Sequence, residues 1–194
     1  MASVMTEILE KIKAVLQSPG SFFGSIKSEE GYGPALKYLF VIYLVPSIIA
    51  FIAGMLSSPG KIGEAVIIAV LAEAFGVLAV TFISTGLVHI GILLVGGKKG
   101  VFSTYKALAY GITPYVLLQW IPIVSILALL WAIYLEVLGL SKLQEMSMLR
   151  AFIGWLIVPL ILLVILAALF TAVLIGMLGV LFSAASTGKL IMGG

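Results

Sequence analysis

The apolar run from Ile62 to Val95 limits the fold more than any other stretch of the sequence. About 18 or more consecutive apolar residues predict a membrane-spanning helix. If it is wholly helical, the run is roughly 50 Å long at a rise of about 1.5 Å per residue. A hydrocarbon core is only about 30 Å thick, so the helix must tilt, kink or protrude.

The apolar character of this run extends to the whole chain. Apolar residues make up 62% of the chain and charged residues only 10%, whereas soluble domains carry roughly 25% charged residues. A compact soluble fold cannot hide that much apolar surface from water. We therefore expect an integral membrane protein. The absence of cysteine excludes disulfides and thiol catalysis.

Five apolar segments can be counted along the chain. Two of them come from residues 104–140, which are too long for one span and are divided by the Gln119–Pro122 break, because a residue that precedes proline avoids helical geometry. The predicted spans are Pro34–Leu56, Ile62–Val95, residues 104–118, Pro122–Leu140 and residues 149–182, the last with an expected kink at Pro159. The predicted fold is an all-α polytopic bundle of five transmembrane helices. In an alternative, residues 104–140 form a re-entrant hairpin and the chain has four spans.

The cations favour one orientation of this bundle. With the N-terminus in the cytoplasm, nine of the 11 Lys and Arg residues fall on inner segments, and only Lys61 and Lys189 fall outside. The positive-inside rule therefore predicts an N-terminus in the cytoplasm and a C-terminus outside. The four-span alternative leaves the flanks of the hairpin on the same inner side, so the charges do not separate the two topologies.

The segment before the first span has the pattern of an amphipathic helix. Its apolar residues recur at helical spacing, with charged residues on the other faces. These apolar residues are Ile8, Leu9, Ile12, Val15 and Leu16. Two placements fit equally: a helix on the cytoplasmic interface, with Phe22 and Phe23 in the headgroup region, or a helix packed under the bundle. We divide the chain into an N-terminal segment (1–31), a transmembrane domain (32–185) and a short tail (186–194).

A basic loop joins the second and third predicted spans. Gly96–Gly100 lacks the spacing of a phosphate-binding loop, since the lysines are followed by Val101 instead of Ser or Thr. The loop is also too short for the aromatic and basic face that nucleic acid requires. We expect Lys98, Lys99 and Lys106 to contact anionic lipid headgroups or a partner protein.

Ionisable residues inside a membrane are costly, so they are candidate functional residues. Glu73 follows a stripe of small residues on the second span, which allows another helix or another copy of the chain to approach closely. It either forms a buried hydrogen bond or handles a proton or ion. His89 lies roughly 160° around the same helix from Glu73, so the two cannot share a site. Glu136 could pair with Lys106.

Catalytic and metal-binding patterns are missing from the sequence. No Ser-His-Asp set, paired carboxylates or HExxH motif is present, and a zinc site would need three or four ligands. We expect a non-enzymatic protein without metal or cofactor. Tyr110 and Pro114 either shape the third helix or line a site within it, since proline frees a backbone carbonyl.

Three stretches resemble the Yip (Ypt-interacting protein) domain family of five-span membrane proteins. They lie in the order and places that the predicted spans require. The stretches are Tyr32-Gly33-Pro34, then His89 to Gly97 leading to Ala107–Pro114, and finally Gly139-Leu140 with Ser147 and Arg150-Ala151. The resemblance implies a five-span topology and contacts through Tyr32, Gly33 and Pro34.

The resemblance also implies a class of function. Eukaryotic members bind Rab-type GTPases on the cytoplasmic side and act in vesicle traffic. This chain lacks the Asp-Leu that precedes Tyr-Gly-Pro in them, and Gln144 stands where prokaryotic relatives often have a histidine. It resembles a prokaryotic or archaeal member, which places it in a cell membrane.

We expect a membrane-organising, trafficking-type scaffold whose cytoplasmic face contacts lipids or a partner protein. The alternative is a small transporter or channel with a polar path near Glu73, Tyr110 and Glu136. Nucleic acid is excluded as a partner, and a homo-oligomer stays open.

Overall fold

The computed structural model describes the backbone of residues 2–57 and 62–192 and the side chains of residues 4–56 and 79–179. In these residues all regular structure is helical. A 3₁₀ turn at Ile26–Ser28 follows the second helix. The helices are α1 (Ala2–Gln17), α2 (Pro19–Ser25), α3 (Gly33–Ser57), α4 (Ile62–Leu94), α5 (Val101–Gly111), α6 (Thr113–Leu118), α7 (Val124–Leu143) and α8 (Met148–Met192).

Three helical stretches in the described residues are long and apolar enough to cross a membrane: Gly33–Leu56, Val124–Leu143 and Met148–Gly179. The end of α4, Ala79–Leu94, is a shorter apolar helix. This confirms an all-helical membrane protein. The first, second and fourth predicted spans lie close to α3, α4 and α7. The fifth predicted span ended at residue 182, whereas α8 runs through Pro159 and extends to Met192.

The third predicted span is two short helices. α5 ends at Gly111 and α6 begins at Thr113, with Pro114 in its first turn. Pro114 has no N–H to donate, and a first helical turn tolerates that loss. Neither helix reaches the roughly 20 residues of a single span. The break at residues 119–123 was predicted, but the one at Ile112 was not.

Glycines set three close helix contacts. Gly91 of α4 lies against the backbone of Gly154 in α8, where an added Cβ would collide with the Gly154 carbonyl. Gly111 of α5 lies against Glu136, and an added Cβ there would come within 2.7 Å of the Glu136 backbone nitrogen. A Cβ on Gly139 of α7 would come within 2.7 Å of the Phe23 ring. α4 therefore pairs with α8, and α5 with α7.

The N-terminal segment packs on these helices. Ile8 and Val15 of α1 are buried, as are Phe22 and Phe23 of α2. Gly139 of α7 lies against both the Phe23 ring and the Ala107 backbone of α5. Of the two placements that the sequence allowed, the structure shows the packed one, and Phe22 and Phe23 lie in the protein core instead of in headgroups. The hydrophobic effect explains this, since Phe22 packs on Tyr110 of α5 and Phe23 on Gly139 of α7, away from water.

Candidate functional site

A polar cluster joins the N-terminal segment to α5. Tyr110 Oη donates to Glu29 Oε2 at 2.9 Å, and Lys11 Nζ donates to Glu29 Oε1 at 2.6 Å. Lys11 Nζ is also 3.2 Å from Tyr110 Oη. Residues four apart on a helix share a face, so Lys106 and Tyr110 both point toward this segment. The cluster therefore ties α1 and the chain before α3 to α5.

Lys106 forms the buried end of this cluster. Its Nζ donates to the main-chain carbonyls of Ile26 and Glu29, both at 2.8 Å, and lies 3.3 Å from that of Lys27. The 3₁₀ turn ends here: the Ile26 carbonyl also accepts the main-chain N–H of Glu29 at 3.1 Å, and Lys106 supplies a further donor at the end of the turn. Lys106 is only 3% exposed, which leaves little surface for a lipid headgroup, and its ammonium bonds to these carbonyls instead of to Glu136, contrary to expectation.

Tyr110 and Pro114 belong to the packed core. Tyr110 is fully buried, and its ring packs edge-on to Phe22 and beside Tyr38. Thr113 Oγ1 donates to the Tyr110 carbonyl at 2.5 Å and accepts from Tyr38 Oη at 2.7 Å. These contacts fasten the break between α5 and α6 to α3.

Glu136 has a different partner from the one expected. Its Oε2 accepts a hydrogen bond of 2.7 Å from the indole N–H of Trp155 in α8. Glu136 is largely buried. Gly111 packs so closely against it that a side chain at position 111 would collide with Glu136. The Glu136 carboxyl is thus bonded to Trp155, whereas the Tyr110 hydroxyl is bonded to Glu29 and Lys11, so these two expected site residues share no partner.

His89 is part of a chain of polar groups between α4, α5 and α7. Its Nδ1 lies 2.9 Å from Thr104 Oγ1, which also accepts from Gln144 Nε2 at 3.1 Å. Gln144 Oε1 accepts from the main-chain N–H of Lys99 at 3.0 Å. Gln144, which is 4% exposed, therefore braces the α4–α5 loop against the end of α7.

Glu73 and the Tyr32-Gly33-Pro34 stretch are also residues that the sequence pointed to. The side chain of Glu73 lies outside the described residues. Tyr32, just before α3, packs its ring against Phe82, Phe102 and Tyr105. Gly33 and Pro34 form the first turn of α3, after Gly31 at φ +73°. The Tyr-Gly-Pro stretch thus joins α3, α4 and α5.

An open cavity of 620 Å³ lies between the α4–α5 loop and the α7–α8 loop. Its lining includes the cations Lys98, Lys99 and Arg150, and one carboxylate, Glu145. Glu145 Oε2 is 2.9 Å from Lys99 Nζ, and its Oε1 is 3.1 Å from Lys27 Nζ. Hydrogen bonds from Lys99 and then Lys27 lower the pKa of Glu145 below its usual value. Among the described residues, Lys98 and Arg150 have no ion pair.

Sequence reasoning missed the roles of Lys11, Glu29, Gln144 and Glu145. Glu29 stands in a short charged stretch directly before Tyr-Gly-Pro, which could have suggested a structural partner for Lys106 or Tyr110. Glu145 carried no sequence signal. As for metals, no three His, Asp or Glu side chains cluster among those that the structure describes.

Comparison with known families gave one match. The model of the Yip1 domain matches residues 13–170, which include the basic cavity, all three motif stretches, and the polar cluster apart from Lys11. No curated protein and no solved structure gave a significant match. The matched region covers most of the chain and includes the apolar stretches Gly33–Leu56 and Val124–Leu143 and most of Met148–Gly179. The chain belongs to the Yip1 domain family and is an integral membrane protein.

Proposed function

We propose that this protein is a non-enzymatic scaffold that organises the membrane around it, in the trafficking-type role general to its family. Its cytoplasmic face contacts anionic lipids or a partner protein. The observation that carries the proposal is the surplus of exposed cations beside the α4–α5 and α7–α8 loops, at Lys98, Lys99 and Arg150. Such a surface attracts anionic headgroups at roughly 1 kcal/mol per cation.

The packing of the N-terminal segment supports this proposal. Lys106 and Tyr110 hold the N-terminal segment against α5. The segment therefore has a fixed position relative to the α4–α5 and α7–α8 loops. Lys27 of this segment shares the Glu145 carboxylate with Lys99 of the α4–α5 loop. A folded surface of three chain segments is suited to hold a partner in one geometry, since a surface that is already ordered loses little conformational freedom on binding.

The topology that goes with this proposal has five spans, an N-terminus in the cytoplasm and a C-terminus outside, in a prokaryotic or archaeal cell membrane. The chain contains no cysteine, so one introduced cysteine is a unique label. We expect Lys98→Cys and Gln119→Cys to react with an impermeant maleimide from opposite sides of the membrane. If Gln119→Cys does not react from the side opposite to Lys98→Cys, the five-span topology fails and the alternative, a re-entrant hairpin of residues 104–140, is supported.

Lipid sorting tests the scaffold itself. The protein is reconstituted into vesicles of phosphatidylcholine with a minor fraction of fluorescent phosphatidylserine, and energy transfer between the tryptophans and the labelled lipid is measured. We expect enrichment of the labelled lipid around the wild type. At least half of that enrichment should be lost in Lys98→Gln/Lys99→Gln/Arg150→Gln, because salt screens charge attraction beyond about 10 Å and more distant cations cannot replace these three. Equal enrichment in both proteins would refute lipid organisation by this face.

Solute flux tests the alternative class. A transporter with a path near Glu73 and Glu136 should lose flux in Glu73→Gln. The scaffold instead predicts that wild-type vesicles and the variant show the same proton and sodium leak as empty vesicles. Wild-type leak that Glu73→Gln abolishes would contradict the scaffold and support transport.

A further inference from the structure

The helices α4 and α7 end beside the basic cavity with the same backbone motif. In α4, the Gly97 N–H donates to the Ile92 carbonyl at 2.8 Å, with Gly96 at φ +90°. In α7, the Met146 N–H donates to the Ser141 carbonyl at 3.0 Å, with Glu145 at φ +55°. Both are Schellman ends, whose left-handed position normally takes glycine.

Glu145 is therefore the unexpected residue of the pair. A side chain in the left-handed region is unfavourable, and glycine at the equivalent position of α4 avoids that cost. An outlier of this kind points to a role that outweighs local stability. At this position Glu145 can bridge Lys99, which lines the cavity, and Lys27, which does not, at 2.9 Å and 3.1 Å.

The cavity still has a surplus of positive charge. Its lining holds three cations, Lys98, Lys99 and Arg150, against one carboxylate, which leaves 3 − 1 = 2 positive charges. A phosphate monoester carries close to two negative charges near neutral pH, whereas a phosphodiester carries one. The planar guanidinium of Arg150 can also bind two phosphate oxygens at once.

The surroundings of the cavity favour a lipid as the carrier of this phosphate. Arg150 lies in the first turn of α8, and Ile153, one turn further on the same flank, is exposed and apolar. Beyond it α8 continues as an apolar helix long enough to cross the membrane. A headgroup in the cavity would therefore have its acyl chains beside apolar side chains.

We propose that this cavity binds a phosphate monoester on a membrane lipid, and that Glu145 is an internal anion that the headgroup displaces from Lys99 and Lys27. The inference rests on the proposed function and makes it specific. In the empty site Glu145 holds the two lysines in place, and in the occupied site the phosphate takes over the hydrogen bond of Lys99, the one of the two that lines the cavity.

Calorimetric titration of the full-length protein in detergent tests this. The probes are short-chain phosphatidic acid, short-chain phosphatidylglycerol and soluble glycerol 3-phosphate. We expect phosphatidic acid to bind about tenfold more tightly than phosphatidylglycerol, since the loss of one charge-assisted hydrogen bond is worth about that factor. Weaker binding of glycerol 3-phosphate identifies a lipid as the carrier, and equal binding overturns the lipid part of the proposal.

Three variants locate the site. Arg150→Gln should weaken phosphatidic acid binding by about tenfold, and Glu145→Gln should tighten it by about threefold because the competing anion is gone. Lys142→Gln is the control, since Lys142 is exposed at the end of α7 but does not line the cavity. Thermal unfolding verifies that each variant is folded. Equal binding of the two lipids, an unchanged Kd in Glu145→Gln, or an equal effect of Lys142→Gln and Arg150→Gln overturns the inference.

This result is separable from the proposed function. If phosphatidylserine is enriched around the protein but phosphatidic acid is not preferred, the scaffold stands and the phosphate site fails. If phosphatidic acid binds selectively but no lipid is enriched, the site stands and the scaffold fails.

Discussion

Lys106 donates a 2.8 Å hydrogen bond to the main-chain carbonyl of Glu29, 77 residues earlier in the chain, while the carboxylate of Glu29 accepts from Tyr110 on the next turn of α5. One helix face therefore binds both the backbone and the side chain of the same residue. The segment between α2 and α3 is fixed by charge-assisted hydrogen bonds, and the apolar contacts of Phe22 and Phe23 complete its docking.

Replacement of the Lys106 ammonium should release this segment. In Lys106→Met the apolar stem stays but the carbonyls of Ile26 and Glu29 lose the charged donor, and Ile26 keeps only the Glu29 N–H, so we expect the free energy of unfolding to fall by about 2–3 kcal/mol. Amide exchange in α2 and the 3₁₀ turn should accelerate. Lys142→Met, on an exposed lysine, is the matched control and should leave exchange unchanged. Unchanged exchange in Lys106→Met would show that apolar packing and the bonds of the Glu29 carboxylate hold the segment without Lys106.

Glu29 and Tyr110 should be energetically coupled. Tyr110→Phe and Glu29→Gln each weaken the 2.9 Å hydrogen bond, so the double variant should lose less stability than the two single losses added together. Direct contacts of this kind couple by about 0.5–3 kcal/mol in a double-mutant cycle. Denaturant unfolding in detergent measures the cycle. Additive losses would mean that Lys11 alone satisfies the carboxylate.

The contrast between Lys106 and the span ends shows what the sequence could and could not predict. Local patterns were enough for the starts of α3 and α4 and for the break after Gln119, because apolar length and proline act within a few residues. The partners of Lys106 depend on how α2 folds back onto α5, which no local pattern encodes. The break at Ile112 was missed because residues 104–118 are apolar enough to predict one helix.

The same limit applies to the candidate site. The basic loop at Lys98 and Lys99 was visible as a run of charges. Its counter-ion, Glu145, comes from a separate loop and reaches the lysines only because α7 ends in a left-handed turn. Gln144 joins the two loops through hydrogen bonds to Lys99 and Thr104, so the shape of the cavity is a tertiary property.

Close packing of α4 on α8 should depend on Gly91. Gly91→Ala places a methyl group against the Gly154 carbonyl, and such overpacking costs about 1–3 kcal/mol. Gly86 lies on the same helix with nothing within 4 Å of an added Cβ, so Gly86→Ala should be neutral or stabilising by up to about 1 kcal/mol. Thermal unfolding of both variants in the same detergent gives the comparison. Equal melting temperatures would contradict the close α4–α8 contact.

Trp155 should matter mainly as a hydrogen-bond donor to Glu136. Trp155→Phe keeps an aromatic ring but removes the N–H that lies 2.7 Å from Glu136 Oε2, and an unsatisfied buried acceptor costs about 1–3 kcal/mol. Replacement of the acceptor as well, in Trp155→Phe/Glu136→Leu, should recover part of the loss. Stability that falls further in the double variant would show that Glu136 has another essential partner.

Acid should loosen the contact between the α4–α5 loop, which holds Lys99, and the α7–α8 loop, which holds Glu145. Lys99 and Lys27 lower the pKa of Glu145 in the folded protein, so the carboxylate stabilises the fold above its unfolded pKa, and this stabilisation is lost as the pH falls through the folded pKa. The loss therefore falls below the ordinary glutamate pKa of about 4.3. Amide exchange of residues 96–100, corrected for the intrinsic pH dependence, should rise there in the wild type. In Glu145→Gln the corrected exchange should be higher at neutral pH and flat through the same range. A wild-type profile as flat as that of the variant would mean that the Glu145 bridge does not hold the loops together.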